Sequence, residues 1–392
     1  NALFETVSGF TTTGSSILPD IESLSRCSLF WRSFTHWIGG MGVLVFILAV
    51  IPMTGGTRMN LMKAESPGPS VGKLVPRVKH TAMILYIIYI VLTVLEIIFL
   101  LAGHMTLFES VTTAFSTAGT GGFGIRNDSL MSVSPYIQWV VAVFMILFGI
   151  NFNVYFLIIM GQFGAVVKHE ELRTYFAIIL ASATVIFFNL RHVIVDGVDR
   201  IRHTIFQIGS VMTTTGFCSY DFDLWPQTSK TVMIFLMLIG ACAGSTGGGV
   251  KVSRIIIGVK AVFKEITSYL HPRSVKKVKM DGKLIEHEVV RATNVYFMAY
   301  MLVFFVSVLL ISIEDKSMTT NFTAVLASIN NVGPGFDGVG PTQNYGGFTV
   351  FSKYVLIFDM LAGRLELFPI LMLLCPPIWK KKKKQDAVEP DM

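Results

Sequence analysis

Long apolar runs alternate along this chain with short stretches rich in glycine, threonine and charge. The runs Leu29–Met53, Thr81–Ala102, Tyr136–Val167, Tyr175–Phe188, Thr231–Phe263, Val295–Ile313 and Phe348–Trp379 lack the regular polar stripe of a soluble surface helix and read as membrane-spanning segments. One of them, Thr231–Phe263, is interrupted by Gly240–Lys251, GACAGSTGGGVK. Between the runs lie four related segments: Phe4–Gly14 (FETVSGFTTTG), Phe108–Gly119 (FESVTTAFSTAG), Phe206–Gly216 (FQIGSVMTTTG) and Phe322–Gly333 (FTAVLASINNVG). Each is too short to cross a bilayer, which takes about 20 residues, and suits a helix that enters and turns back. Non-helical backbone at that depth is tolerated only inside protein or along water, so four such turns suggest the four walls of a pore.

The pattern predicts an all-α integral membrane fold of four pseudo-repeated modules, each a helix, a half-dipping helix with a turn, and a second helix. The modules are 1–63, 64–168, 169–270 with the glycine-rich loop 240–251, and 271–392 with a basic hairpin and a Lys-rich tail. Because the chain opens inside the first repeat, without the helix that leads the others, an N-terminal portion is expected to precede it. Within the basic stretch, Val275–Val289 carries an Asp-Gly pair between alternating residues, a β-hairpin signal.

Composition agrees: 52% of residues are hydrophobic, 15% are charged, and mean hydropathy is +0.62, outside the range of soluble domains. The net charge of +7 does not indicate nucleic acid, because most basic residues sit in loops opposite the turns and at Lys380–Lys384. That bias places the turns near the outer face of the membrane. Cys27, Cys218, Cys242 and Cys375 show neither disulfide nor zinc spacing. Gly119–Gly124 matches G-x-G-x-x-G in letters, but no strand precedes it, and Gly244–Lys251 fails the phosphate-loop spacing. His36 beside Trp37 reads as a packing residue rather than a ligand. An intramembrane enzyme would need paired acids within spans, which Glu96, Asp359 and Glu366 do not supply.

A cation that sheds its water needs replacement oxygens, commonly backbone carbonyls in rings. The turns can supply them, with a final glycine free to take positive φ and short helices aiming their partially negative C-termini at the same point.

At SGFTTTGSS (Ser8–Ser16), HWIGGMGVLVF (His36–Phe46), AFSTAGTGGFG (Ala114–Gly124), MTTTGF (Met212–Phe217), AGSTGGGVK (Ala243–Lys251), NNVGPGF (Asn330–Phe336) and GRLELFP (Gly363–Pro369), the chain resembles the Trk/Ktr/HKT superfamily of potassium and sodium transport proteins, most closely its bacterial TrkH type. The resemblance implies a filter at Thr12, Thr13, Gly14, Thr117, Ala118, Gly119, Thr214, Thr215, Gly216, Asn331, Val332 and Gly333, with potassium selectivity because all four terminal positions are glycine. It implies a gate below the filter, made by the intramembrane loop at Gly244, Ser245, Thr246, Gly247, Gly248 and Gly249 and by Arg364 pointing into the path. The alternative residue reading pairs Arg364 with Glu366 or Asp359. The resemblance further implies a homodimer on a cytoplasmic nucleotide-binding regulatory subunit of the TrkA type, with no cofactor in this chain and potassium as substrate. The basic hairpin and the Lys380–Lys384 tail would meet that subunit or membrane lipid. A symporter carrying sodium or protons with potassium is the alternative function.

Overall fold

The computed structural model describes residues 1–42, 78–271 and 277–373. Helix α1 (Ala2–Phe10) leads through a turn to α2 (Arg26–Met41). The second module holds α3 (Val78–Ala102), α4 (Leu107–Ala118), α5 (Pro135–Phe148), α6 (Phe152–Ile159) and α7 (Phe163–Lys168). The third holds α8 (Glu170–Asn189), α9 (Gly197–Met212), α10 (Gln227–Ile239) and α11 (Val252–Leu270). Strands β1 (Lys279–Met280) and β2 (Lys283–Leu284) precede α12 (His287–Ile311), α13 (Met318–Ile329), α14 (Val350–Arg364) and α15 (Phe368–Leu373).

Local chemistry starts the short helices where they begin. The Thr106 hydroxyl accepts the Glu109 N–H while Glu109 returns to the Thr106 N–H, a capping box that satisfies two otherwise orphaned donors. Asp196 caps α9 through the Asp199 N–H, and Ser317 caps α13 through the Thr320 N–H.

The short helices and the later helices form a closed cycle. Each short helix (α1, α4, α9, α13) packs against the later helix of its own module (α2, α5, α10, α14) and against that of the module before it, with α1 closing the cycle on α14. Outside lie α3, α8 and α12. Among the described residues, Met83–Ala102, Glu170–His192 and His287–Glu314 are the segments long and apolar enough to cross a membrane alone, and the molecule buries only 28%, 22% and 33% of them. Their remaining apolar surface is suited to lipid. The chain is a helical membrane protein.

The expected spans need two corrections. Tyr136–Val167 is not a continuous helix: α5 and α6 meet at 89°. At the bend a Cβ on Gly149 would lie 2.6 Å from the Tyr175 hydroxyl and 2.7 Å from Thr213 Cγ2, and the Gly149 carbonyl accepts the Cys242 N–H. The backbone is thus held by the third module where a straight helix would continue. Phe348–Trp379 likewise stops at Arg364 and resumes at Phe368, through Glu366 and Leu367 at φ +64° and +59°, while its end lies outside the described residues. Thr231–Phe263 breaks where the glycines predict. Leu29–Met53 and the Lys-rich tail fall partly or wholly outside the described residues. The predicted hairpin forms as two short strands around Asp281 and Gly282, at φ +52° and +75°, the signs a type I′ turn requires.

Candidate functional site

The four turns meet in a ring. A Cβ on Gly14 would lie 1.8 Å from the Gly121 carbonyl oxygen, on Gly122 2.1 Å from that of Thr215, on Gly216 2.3 Å from that of Val332, and on Gly333 2.7 Å from that of Thr13. Each module's glycine therefore abuts the carbonyl that precedes the next module's glycine, and the fourth returns to the first. No side chain fits at these positions.

One backbone device builds all four turns. The N–H groups of Thr13, Gly121, Thr215 and Val332 reach back to the carbonyls of Ser8, Ser116, Ser210 and Ala327 at 2.8 to 2.9 Å, the six-residue closure of a helix C-terminus. The residue before each, Thr12, Thr120, Thr214 or Asn331, sits at φ +54°, +53°, +59° or +54°. Left-handed backbone at a β-branched threonine costs about 1–3 kcal/mol and persists only where the surroundings fix it. Gly14, Gly122, Gly216 and Gly333 follow at φ +74° to +98°, so φ alternates in sign and turns successive peptides the same way. Among the described residues, nothing donates a hydrogen bond to the carbonyls of Thr13, Gly121, Thr215 or Val332, all of them in buried residues. Buried carbonyls without a donor are uncommon and call for a ligand or water.

This geometry corrects the register of the second repeat. Thr117 and Ala118 are in the last turn of α4, with the Thr117 hydroxyl on the Thr113 carbonyl, and Gly119 is an ordinary right-handed cap at φ −70°. Thr120, Gly121 and Gly122 hold the positions matching Thr12, Thr13 and Gly14. A Cβ on Gly119 would lie 2.2 Å from the His36 carbonyl oxygen, so its glycine serves close packing on α2. A sequence signal existed: Ser116 and Phe123 are spaced as Ser210 and Phe217 are, and in both pairs the serine hydroxyl donates to the phenylalanine carbonyl, at 2.9 and 2.6 Å. His36 is buried, stacked on Phe123 with centroids 4.2 Å apart, the packing role its sequence context suggests.

Below the ring lie the glycines of the later helices and of the loop. A Cβ on Gly39 would come within 2.2 Å of the Phe10 carbonyl oxygen, on Gly363 within 1.9 Å of that of Ile329, and on Gly248 within 2.4 Å of that of Asn330. The glycines thus let neighbouring backbone touch the C-terminal ends of the short helices. In the loop, the Gly248 N–H donates to the Thr214 hydroxyl at 2.6 Å, Gly247 approaches the Thr213 carbonyl, and the Thr246 hydroxyl donates to the Phe148 carbonyl at 3.3 Å. Ser245 bonds the Cys242 carbonyl, and Gly244 and Gly249 take φ of +66° and +78°. Lys251, buried at φ +84°, folds its ammonium back onto the Gly247 carbonyl. Arg364 donates to the carbonyls of Thr246 (2.8 Å), Gly40 (2.9 Å) and Gly39. Glu366 pairs with Arg254, and Asp359 accepts from Ser307.

A family model described as TrkH, cation transport protein, matches residues 1–381. The chain belongs to the TrkH family. It is 34% identical over 388 residues to the Trk system potassium uptake protein TrkH of Escherichia coli strain K12, covering 97% of this chain and 80% of that one. It is 36% identical over 390 residues to TrkH of Vibrio parahaemolyticus, covering 97% and 79%. The crystal structure of the potassium transporter TrkH from Vibrio parahaemolyticus superposes with a TM-score of 0.83 at 34% identity, over 96% of this chain and 78% of that one. These relatives are named as transport proteins, not enzymes.

Family membership leaves the asymmetry of this ring to be explained from its residues. Turn one is braced by Thr11 and Thr13 hydroxyls 2.8 Å apart, and turn three by Thr213 and Thr215 at 2.7 Å. Turn four has no such pair; the Asn331 amide instead donates to the Thr13 hydroxyl (2.9 Å) and the Met360 carbonyl (3.0 Å). The Gly333 carbonyl is taken by the Tyr345 hydroxyl at 2.8 Å and the Ser15 hydroxyl at 3.2 Å. Beside the ring, Arg32 pairs with Glu5 at 2.7 Å and lies 4.0 Å over the Phe123 ring, tying the first two turns together.

Proposed function

We propose that this chain is a potassium-selective membrane transport subunit whose filter is the ring of turns. The observation that carries the reading is the set of buried carbonyls on Thr13, Gly121, Thr215 and Val332, which accept no hydrogen bond from any described residue. Oxygens of this kind can replace the water shell of a cation, and the C-terminal ends of four short helices favour positive charge at the same point. Relatives named potassium uptake proteins supply the substrate, and glycine at all four ring positions, with Gly122 in place of Gly119, keeps the potassium expectation. The filter residues are then Thr12, Thr13, Gly14, Thr120, Gly121, Gly122, Thr214, Thr215, Gly216, Asn331, Val332 and Gly333.

In this reading Gly244–Gly249 and Arg364 form the gate below the filter. The four modules are the domains of one conduit, in the inner membrane with the turns outward, and no cofactor is bound. The chain works as a homodimer with a cytoplasmic nucleotide-binding subunit of the TrkA type, for which the basic hairpin is the docking surface this reading favours. Purified protein in liposomes tests the filter: potassium flux that excludes sodium is expected, and equal sodium flux overturns it. Rescue of a potassium-starved, transport-deficient host by the chain tests uptake itself.

A further inference from the structure

Glu171 stands in the first turn of α8, buried to 2% exposure and away from the ring. One of its carboxyl oxygens, Oε1, accepts two backbone N–H groups: that of Ala243, where the intramembrane loop begins, at 2.7 Å, and that of Ser253, where α11 begins just past the loop, at 3.1 Å. A single side-chain atom therefore bridges the two ends of the loop, which backbone bonds from Lys251 N–H to the Ile239 carbonyl (2.9 Å) and from Val252 N–H to the Ala241 carbonyl (3.1 Å) also bring together. Its partner oxygen Oε2 accepts from the Asn151 amide at 3.3 Å, at the bend between α5 and α6. The same bend takes two more bonds from the loop's first limb, Cys242 N–H to the Gly149 carbonyl at 3.1 Å and Phe152 N–H to the Gly244 carbonyl at 2.9 Å. The limb before Ser245 is thus anchored, and only Ser245 to Gly249 reaches toward the ring.

From these contacts we infer that Glu171 is the positioning residue of the loop. It pinches the two ends together, so that the intervening residues bow toward Thr214 and Arg364. The residue before it connects this clasp to the cytoplasmic side. The Glu170 N–H donates to Asp281 of the hairpin turn at 2.7 Å, and Lys260 of α11 pairs with Glu170 and donates to the Lys279 carbonyl at 2.7 Å. A displaced hairpin pulls on the first turn of α8, and with it on both loop ends. No other described side chain bonds both flanks of the loop.

The inference rests on reading the loop as a gate, and the test separates the two. Glu171→Ala, Glu171→Gln and Arg364→Ala are compared in the full chain in liposomes, with amide hydrogen exchange followed at Ala243 and Ser253. Glu171→Gln keeps an oxygen in place and is expected to hold wild-type basal potassium flux and amide protection. Glu171→Ala is expected to lose protection at both amides together and to raise basal flux by about tenfold, with potassium selectivity kept, as a shift of the closed–open balance requires. If Arg364→Ala raises flux while Glu171→Ala does not, Glu171 has no positioning role, whatever its amides do. The role also falls if the amides stay protected in Glu171→Ala, or if Glu171→Gln behaves like Glu171→Ala. If neither alanine variant changes flux although the two amides are exposed, the clasp stands and the gate reading fails.

Discussion

The guanidinium of Arg364 donates to the Thr246 carbonyl at 2.8 Å, joining the end of α14 to the tip of the third module's loop. The same side chain reaches the carbonyls of Gly39 and Gly40 in α2, so one cation holds three modules together beneath the ring. Arg364→Ala removes a charge and these bonds at once. Basal potassium flux is expected to rise by about tenfold, equivalent to ~1.4 kcal/mol. Arg364→Lys, a point charge without the planar fork, is expected to fall between the two. Flux in liposomes at fixed potential reads both, and unchanged flux in Arg364→Ala would leave the residue a purely structural brace.

The corrected register of the second turn separates two neighbouring positions. Gly122→Ala drives a Cβ into the Thr215 carbonyl and loads a positive φ with a side chain, at about 1–2 kcal/mol for the backbone alone. Potassium-selective flux is expected to be lost. Thr117→Val removes a hydroxyl that bonds the Thr113 carbonyl, away from the ring, and the potassium-to-sodium ratio is expected to stay at the wild-type value. Loss of selectivity in Thr117→Val would return the filter to Gly119.

Asn331 ties turn four to turn one through the Thr13 hydroxyl, alongside the Ser15 bond to the Gly333 carbonyl, while also holding the Met360 carbonyl. Asn331→Ala forfeits both bonds and leaves alanine in a left-handed conformation that asparagine tolerates better. With about 1 kcal/mol for each bond, stability is expected to fall by roughly 2–3 kcal/mol. Thermal unfolding in detergent measures the loss, and potassium should restore less of it than in the wild type.

Outside the spanning helices, Asp337 takes hydrogen bonds from the Ser317 and Thr320 hydroxyls, and these hold its carboxyl below the usual value. A depressed folded-state pKa stabilises the fold above the unfolded value, near 4, and the gain disappears as pH falls through the folded value. Melting curves of wild type and Asp337→Asn are therefore expected to differ at neutral pH and to converge once the pH has fallen through the folded-state value. A difference that persists in acid would mean the charge is not what the cap uses.

Much of this was written in the chain, though not evenly. The apolar runs α3, α8 and α12 and the recurrence of Phe-to-Gly segments were plain, as was the Asp281-Gly282 turn. Around Gly119 the sequence offers glycine at 119, 121, 122 and 124, and composition does not choose among them; the bond from the Gly121 N–H to the Ser116 carbonyl does. Gly149 sits in an unbroken apolar run, and its 89° bend depends on Thr213 and Cys242 in the next module. Glu171 looks like any acid in the first turn of a helix, where it complements the dipole.

Hydropathy and period are sums over neighbouring residues, so the chain alone set the membrane environment, the helical class and the fourfold plan. Which carbonyls lack a donor, which glycine closes each quarter of the ring, and which carboxyl grips the loop are set by backbone from remote modules arriving within 3 Å. Contacts of that range depend on how the helices pack, and no local pattern encodes them.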